Sequence, residues 1–210
     1  MMPHKALLLL FTFGAMIMCL EILSSNMLSP HFGGSIYIWG SIISSFMVYM
    51  ALGYVWGDAI AKKTRNSRPL FFLLLLGSGW CLLLPLFHHG ASQAVGSVIS
   101  DARWGSLLAM WVLFFVPITT MAMVSPYMIE LLALRGKPTW LTPGRILFVS
   151  TMGSCFGTLA TAFYLVDLMK VSNILYLAGA ICIATLLLAE LLPAETDAGA
   201  VPVAADRPAA

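Results

Sequence analysis

Residues 21–57 read EILSSNMLSPHFGGSIYIWGSIISSFMVYMALGYVWG and place an acid, a turn and a small-residue segment in close succession. Glu21 lies inside one apolar segment, residues 26–35 are expected to form a Pro/Gly turn, and a second apolar segment runs as far as Gly57. A carboxylate at the centre of a membrane-spanning helix costs about 2.5–3.5 kcal/mol on insertion scales. Because something must offset that cost, we expect further helices to pack around this pair.

The composition indicates an integral membrane protein. Of the 210 residues, 60% are hydrophobic and 10% are charged, whereas a soluble domain carries about 25% charged residues. Apolar segments near the ~20 residues that a spanning helix needs lie at 6–25, 36–57, 70–88, 105–125, 145–166 and 172–192. Because backbone polar groups in lipid must be bonded internally, the sequence predicts an all-α, polytopic transmembrane bundle of six helices over residues 1–192.

The distribution of Lys and Arg predicts the orientation of this bundle. Cationic loops stay in the cytoplasm, and nine of the eleven cations fall on one side of the predicted topology. Those nine are Lys5, Lys62, Lys63, Arg65, Arg68, Arg135, Lys137, Arg145 and Arg207, and the other two are Arg103 and Lys170. Both termini are therefore predicted to be cytoplasmic. Residues 193–210, rich in Ala and Pro, are expected to form a disordered cytoplasmic tail.

Several functional classes find no support in the sequence. The net charge is only +2, and no basic cluster is interleaved with aromatic residues, which argues against a nucleic-acid partner. The chain has no phosphate-binding glycine loop and no Ser/His/Asp set, so we expect neither an enzyme nor a cofactor. The cysteines lie singly in different apolar runs and are expected to be small buried side chains rather than metal ligands: Cys19, Cys81, Cys155 and Cys182.

Glu21 is the sharpest candidate for a functional residue. It lies about four residues from the predicted outer end of its helix, roughly 6 Å deep at ~1.5 Å per residue. An acid within a membrane helix is a functional-site hypothesis by default, and it could bind a cationic group or accept a proton. The competing interpretation is that the carboxylate reaches the interface and hydrogen-bonds the turn at Ser24 and Asn26.

Small and hydroxyl-bearing residues recur at helical spacing in two segments. Spacings of three and four place such residues on one face, where they let another helix approach closely. The second segment contributes Gly53 and Gly57, and the fifth contributes Ser150, Gly153, Ser154, Gly157, Thr158 and Thr161. We interpret the glycines at 53, 57, 153 and 157 as helix-packing residues. The alternative is a substrate path lined by Ser150, Ser154 and Thr158.

Three histidines fall on the predicted outer side, namely His31, His88 and His89. Imidazoles gathered on one side could bind a metal or a haem, but their spacing carries no ligand signature, so we predict no metal site.

Two further local features have structural consequences. Asp58 precedes Lys62 by four residues, which predicts a helical ion pair. Pro117 interrupts the fourth segment and is expected to kink it. The hydroxyls of Thr119 and Thr120 could satisfy the carbonyl that the proline leaves without a donor.

The order of several motifs resembles the membrane region of bacterial proteins that fuse a major-facilitator-like part to a spermidine-synthase-like domain. The shared pieces are Glu21, Leu28-Ser-Pro30-x-Phe32-Gly33, Trp39, Ala51-Leu-Gly53-Tyr54, Val124-Ser125-Pro126, Gly144-Arg145 and Ser150-Thr151-x-Gly153-Ser154-x-x-Gly157-Thr158. In those relatives a cytoplasmic synthase-type domain follows the last helix, whereas here the tail stands in its place. The chain also departs from them after Gly57, and at His31, where the relatives commonly carry an aromatic residue.

The resemblance implies a stand-alone, non-catalytic subunit of the bacterial inner membrane. It would anchor a separate cytoplasmic spermidine-synthase-like partner, or exchange a small polyamine-like cation with it. Glu21 would bind the ammonium group, the 150–161 stripe would line the route, and the loops 58–69 and 126–144 would dock the partner. One alternative is an independent small-molecule transporter acting as a homodimer, since six helices make only half of a typical carrier. Another is a membrane protein that handles a metal or haem through the three histidines.

Overall fold

The structure, a computed structural model, describes residues 3–99, 101–135 and 142–191, which form helices joined by short turns with no strand among them. The helices are α1 Pro3–Phe32, α2 Ile36–Thr64, α3 Arg68–Val98, α4 Ala102–Ala122, α5 Val124–Arg135, α6 Pro143–Ala160, a π-helical stretch Thr161–Leu165, α7 Val166–Leu168 and α8 Val171–Leu191. They make six helical segments long and apolar enough to cross a membrane, with α4–α5 and α6–α7 each counting as one. The prediction of six apolar helices is confirmed.

Helices α1 and α3 extend well beyond the apolar segments from which they were predicted. Helix α1 was expected to end at residue 25 but continues to Phe32, and the chain reverses over residues 33–35. Gly33 has a φ of 86°, in the left-handed region that glycine adopts without steric cost. Helix α3 continues from the predicted residue 88 to Val98, and α4 begins at Ala102, so most of the interval 89–104 between the third and fourth predicted segments is helical.

Helix α2 is also longer than predicted. It ends at Thr64 rather than residue 57, which reduces the expected basic loop 58–69 to residues 65–67. Arg65 closes the helix with a φ of 52°, and its amide donates to the Ala61 carbonyl at 2.9 Å. Within the last turns, Lys62 Nζ lies 2.7 Å from Asp58 Oδ2, which confirms the predicted ion pair.

The fourth and fifth spans each contain an interruption. The fourth breaks at Met123 between α4 and α5, and α5 continues to Arg135, so part of the expected internal loop 126–144 is helical. Pro126 is the third residue of α5, where the missing amide proton costs little. The fifth span begins at Pro143 after Thr142, whose hydroxyl oxygen accepts a hydrogen bond from the Arg145 amide. It then passes through the π-helical stretch.

Helix α4 is the element around which α2 and α3 are arranged. Helices α2 and α3 both pack along α4 but make little contact with each other. Helix α1 packs mainly against α6 and also against α8, and α8 in turn packs against α3. Helix α6 contacts little besides α1 and therefore lies at the periphery of the bundle.

The interior and the exterior of the bundle are both apolar. The largest fully buried side chains include Tyr49, Tyr127, Phe13, Phe46 and Phe114. The outer surface exposes many more, among them Phe72, Leu83, Phe148, Phe156 and Phe163. Leaving each such side chain in water would forgo about 1.5–3 kcal/mol. An exterior of this kind fits contact with a lipid bilayer.

The two ends of the bundle differ in charge. One end carries the cations at the α2–α3 turn and is called the basic end: Lys62, Lys63, Arg65 and Arg68. Lys5 near the start of α1 and Arg145 near the start of α6 lie towards the same end. The opposite, histidine end carries His31, His88 and His89, with Arg103 and Lys170 in or beside its turns. That the basic end faces the cytoplasm remains a prediction from charge. The tail 193–210 and Lys137 lie outside the described residues.

Candidate functional site

Glu21 lies deeper within its helix than expected. It is eleven residues from Phe32, the last residue of α1, which is about 16 Å at ~1.5 Å per residue. The expectation of four residues and roughly 6 Å was wrong because the helix continues through Ser24–Ser25–Asn26 instead of turning there. The hydroxyl of Ser24 donates to the backbone carbonyl of Glu21 at 2.6 Å and not to its carboxylate.

The side chain of Glu21 is partly shielded from the exterior, and its carboxylate has no partner among the described residues. Its side chain is half-buried. Gly14, two turns earlier on the same side of α1, packs against Ser150 of α6, and Leu28, two turns later, is fully buried. The Glu21 carboxylate makes neither an ion pair nor a hydrogen bond with any described residue. An unpaired carboxylate at the edge of a low-dielectric interior attracts a cation strongly.

Two buried hydroxyls lie at the level of Glu21 on the neighbouring helix. Ser45 and Tyr49 come nine and thirteen residues after the start of α2 at Ile36, so the antiparallel α1–α2 pair brings the level of Glu21 between them. Ser45 Oγ and Tyr49 Oη are both buried, and the two hydroxyls are placed to hydrogen-bond each other. The Tyr49 ring packs edge to face against Trp111 and Phe115 of α4. The pair therefore belongs to the α2–α4 contact, and only the remaining lone pairs of its oxygens could accept a hydrogen bond from a ligand. Sequence analysis missed both, because Ser and Tyr in an apolar helix carry no distinctive pattern.

Helices α1 and α6 meet backbone to backbone. They run parallel, and a methyl group added at Gly153 would overlap the Phe11 carbonyl, while one added at Gly157 would overlap the Ala15 carbonyl. At Gly14, it would overlap the Ser150 carbonyl. The glycines at 153 and 157 thus occupy a helix–helix contact, which is the role that their spacing indicated.

The hydroxyls of the α6 stripe are engaged with backbone carbonyls. Ser154 Oγ lies 3.1 Å from both the Gly14 and the Ser150 carbonyl oxygens, and Thr158 donates to the Ser154 carbonyl at 3.0 Å. The hydroxyl protons of Ser154 and Thr158 are therefore already engaged in hydrogen bonds, and only the lone pairs of the two oxygens remain for a ligand. The sequence predicted an open polar path as an alternative, whereas the structure places this part of the stripe at the α1 contact.

The π-helical stretch begins where the α1–α6 contact ends. Gly153 faces Phe11 and Gly157 faces Ala15, so the same offset sets Thr161 opposite Cys19, and their side chains are neighbours. Thr161 Oγ1 is buried, and the Cys19 thiol is placed to hydrogen-bond it. Glu21 is two residues further along α1, at the level of the π-helical residues. Single π-turns within α-helices are frequent at functional sites.

Gly53 and Gly57 form a second close contact, between α2 and α4. A methyl group at Gly53 would lie 2.5 Å from the Thr119 carbonyl oxygen, and one at Gly57 would lie 2.9 Å from the Met123 carbonyl oxygen. These glycines therefore face a helix backbone, as expected of a Gly-x-x-x-Gly pair.

Pro117 is accommodated in a way that the sequence did not indicate. The proline removes the amide that would donate to the Leu113 carbonyl. Trp80 Nε1 of α3 donates to that carbonyl at 2.9 Å instead. Thr120 donates to the Val116 carbonyl at 2.9 Å, three residues beyond the freed group, and so does not satisfy it. The hydrogen bond from Trp80 couples α3 to the middle of α4.

The three histidines meet at the histidine end. The ring centroids of His31 and His89 are 4.9 Å apart, and those of His88 and His89 are 5.2 Å apart. His31 Nε2 and His88 Nδ1 are buried without partners. Nevertheless, the described residues contain no group of three or more His, Cys, Asp or Glu side chains arranged to hold a metal ion.

The cysteines only partly follow expectation. Cys19, Cys81 and Cys182 are buried, whereas Cys155 is exposed on the outer face of α6. The expectation that all four are buried was wrong for Cys155, because α6 packs through one narrow face and leaves the opposite side to the exterior.

The fold and the site define this chain as a multi-pass, all-helical membrane protein. Comparison with protein-family models, with curated proteins and with solved structures found no match.

Proposed function

We propose that the chain is a non-catalytic integral membrane subunit that binds a small organic cation at Glu21. The observation that carries the proposal is the half-buried Glu21 carboxylate, about 16 Å from the end of its helix at ~1.5 Å per residue, which has no ion-pair or hydrogen-bond partner among the described residues. An acid in such a place is costly, and an ammonium ligand would offset that cost through charge pairing and hydrogen bonding.

The neighbouring polar atoms support an ammonium-bearing ligand. An alkylammonium group donates several hydrogen bonds and accepts none, so it requires acceptors around it. The oxygens of Ser45 and Tyr49 lie at the level of Glu21 on α2, and their lone pairs can accept such bonds. The lone pairs of Ser150, Ser154 and Thr158 provide further acceptors on α6. A polyamine-like metabolite, with a second ammonium group along an apolar chain, matches this combination.

Binding of a labelled diamine to the purified protein in lipid nanodiscs tests the proposal. We expect saturable binding by the unmodified chain and a loss of at least tenfold in affinity for Glu21→Gln, which keeps the shape but removes the charge. Glu190→Gln, an exposed acid in the last turn of α8, is the matched control and should bind normally. Equal binding by Glu21→Gln and the unmodified protein would remove Glu21 from the site.

The cytoplasmic partner is the second half of the proposal. We infer that a separate spermidine-synthase-like protein docks on the basic end and exchanges the cation with this subunit. The resemblance to the fused bacterial proteins supports the partner, and the cations at the α2–α3 turn provide a charged docking face. Affinity purification from native bacterial inner membranes tests it. If no synthase-like protein co-purifies with the chain, docking is refuted. Cation binding at Glu21 is tested separately by the diamine-binding experiment.

An independent, homodimeric transporter is the alternative that a specific observation favours. Helix α6 packs almost solely on α1 and exposes Phe148 and Phe156 on its outer side, and the π-helical stretch that follows it exposes Phe163, which leaves room for a second copy. Diamine uptake by proteoliposomes that contain only this protein would support the transporter. The same vesicles with Glu21→Gln should lose uptake, whereas binding without flux favours the subunit.

A further inference from the structure

A groove of about 470 Å³ opens on the side of the bundle between α2 and α3. It exists because both helices pack along α4 yet barely touch each other. Its walls are Trp56, Ala59 and Ile60 of α2 and Leu73 and Leu76 of α3, and its floor consists of Phe115, Val116, Thr119, Thr120 and Met123 of the fourth span. The volume falls within the ~300–1,000 Å³ range of typical small-molecule sites.

The groove is apolar and lies within the membrane-spanning part of the helices. The surface that its lining residues expose is apolar, and the Thr120 hydroxyl is turned away to the Val116 and Pro117 carbonyls. Water in such a space finds few hydrogen-bond partners, whereas burying a hydrocarbon chain there is favourable. Because the groove opens sideways rather than towards either end, the bilayer itself is its nearest source of occupants.

Cations stand at the end of the groove. Lys63 is one helical turn beyond Ala59, on the same side of α2. Arg65 lies in the short turn that joins the two walls, and Arg68 is the first residue of α3. All three are exposed. Their side chains make no ion pair or hydrogen bond with any described residue, whereas Lys62 is held by Asp58. Basic groups between membrane helices at the headgroup level are a recurrent means of binding anionic lipids.

We propose that this groove binds an anionic phospholipid from the leaflet that faces the basic end. One acyl chain lies between α2 and α3 on the floor of α4, and the phosphate is held by Lys63, Arg65 and Arg68. The apolar lining fits the chain, and the three unpaired cations complement the headgroup charge. This inference does not depend on the cation site at Glu21.

Native mass spectrometry of the detergent-purified protein, titrated with lipids of matched acyl chains, tests the proposal. The probes are phosphatidylglycerol, which is anionic, and phosphatidylcholine, which is neutral. We expect the unmodified protein to retain phosphatidylglycerol at least tenfold more strongly. Ala59→Phe, which fills the groove from an exposed position, should lose retention of both lipids. Ala51→Phe, the same change at an exposed position of α2 outside the groove, should behave like the unmodified protein.

A charge variant separates the headgroup from the chain. Lys63→Gln/Arg68→Gln should lose the preference for phosphatidylglycerol and bind both lipids equally, while Lys170→Gln at the opposite end should change nothing. Equal retention of the two lipids by the unmodified protein, or undiminished retention by Ala59→Phe, would overturn the proposal. A lipid-free dimer that Ala59→Phe dissociates would also overturn it, since a second copy would then occupy the groove.

Discussion

The hydrogen bond from Trp80 to the Leu113 carbonyl leads to a quantitative prediction. Trp80→Phe removes the donor and keeps most of the aromatic body. The carbonyl cannot recover a bond from within its own helix, because residue 117 is proline and has no amide proton. An unsatisfied buried acceptor costs about 1–3 kcal/mol, and hydrogen bonds between membrane helices average ~0.6 kcal/mol with a maximum near ~1.7. We expect Trp80→Phe to lower the free energy of unfolding by about 1–2 kcal/mol.

A double-mutant cycle isolates the hydrogen bond from the loss of packing. Pro117→Ala restores an amide that can donate to the Leu113 carbonyl, so in that background Trp80→Phe should cost less, with a coupling of about 0.5–1.5 kcal/mol. The measurement is an SDS titration of the protein in mixed micelles, followed by circular dichroism. Trp39→Phe, an exposed tryptophan without a protein hydrogen bond, should cost under about 0.5 kcal/mol.

The cycle can also contradict the reasoning. If Trp80→Phe costs the same with proline and with alanine at residue 117, to within ~0.3 kcal/mol, then the Leu113 carbonyl does not depend on the indole. The contribution of Trp80 would then be packing alone, including its edge-to-face contact with Phe87 at 5.5 Å between ring centroids.

Three further predictions follow from other contacts. Gly157→Leu should force α6 away from the Ala15 backbone and destabilise the protein by about 1–3 kcal/mol. The SDS titration should then show unfolding at a lower midpoint, whereas Cys155→Leu, at an exposed position, should leave that midpoint unchanged. Tyr127→Phe removes the hydroxyl that donates to the Asn66 carbonyl at 2.6 Å, so it should cost about 1–2 kcal/mol and speed proteolysis at residues 65–67; an unchanged cleavage rate would contradict this. Asp58→Asn breaks an exposed ion pair and should change stability by less than ~0.5 kcal/mol; a larger loss in the same titration would show a role beyond that pair.

The sequence predicted the number and type of helices but not their ends. Hydropathy indicates which part of a helix contacts lipid, but the helix itself can continue beyond that part. Residues 89–98 are polar enough to end the apolar segment of α3, yet they continue the helix to Val98. The depth of Glu21 was mistaken for the same reason, because residues 26–32 look like a turn and remain helical.

Spacing identified small-residue faces but could not identify their partners. The glycines at 153 and 157 meet α1, and those at 53 and 57 meet α4, although nothing in either pattern names the opposing helix. Trp80 was not anticipated at all, since its role depends on a carbonyl thirty-three positions away in the chain. Ser45 and Tyr49 stand out only once the fold shows that both hydroxyls are buried.

The direct backbone contact of α1 with α6 has a mechanical consequence. Three glycines leave no flexible side chains between the two helices to absorb a displacement, and α6 has few other neighbours to hold it back. The first and fifth spans should therefore tilt together as one rigid unit. A spin label at the exposed Cys155 would report movements of the helix that carries Glu21 without perturbing the interior.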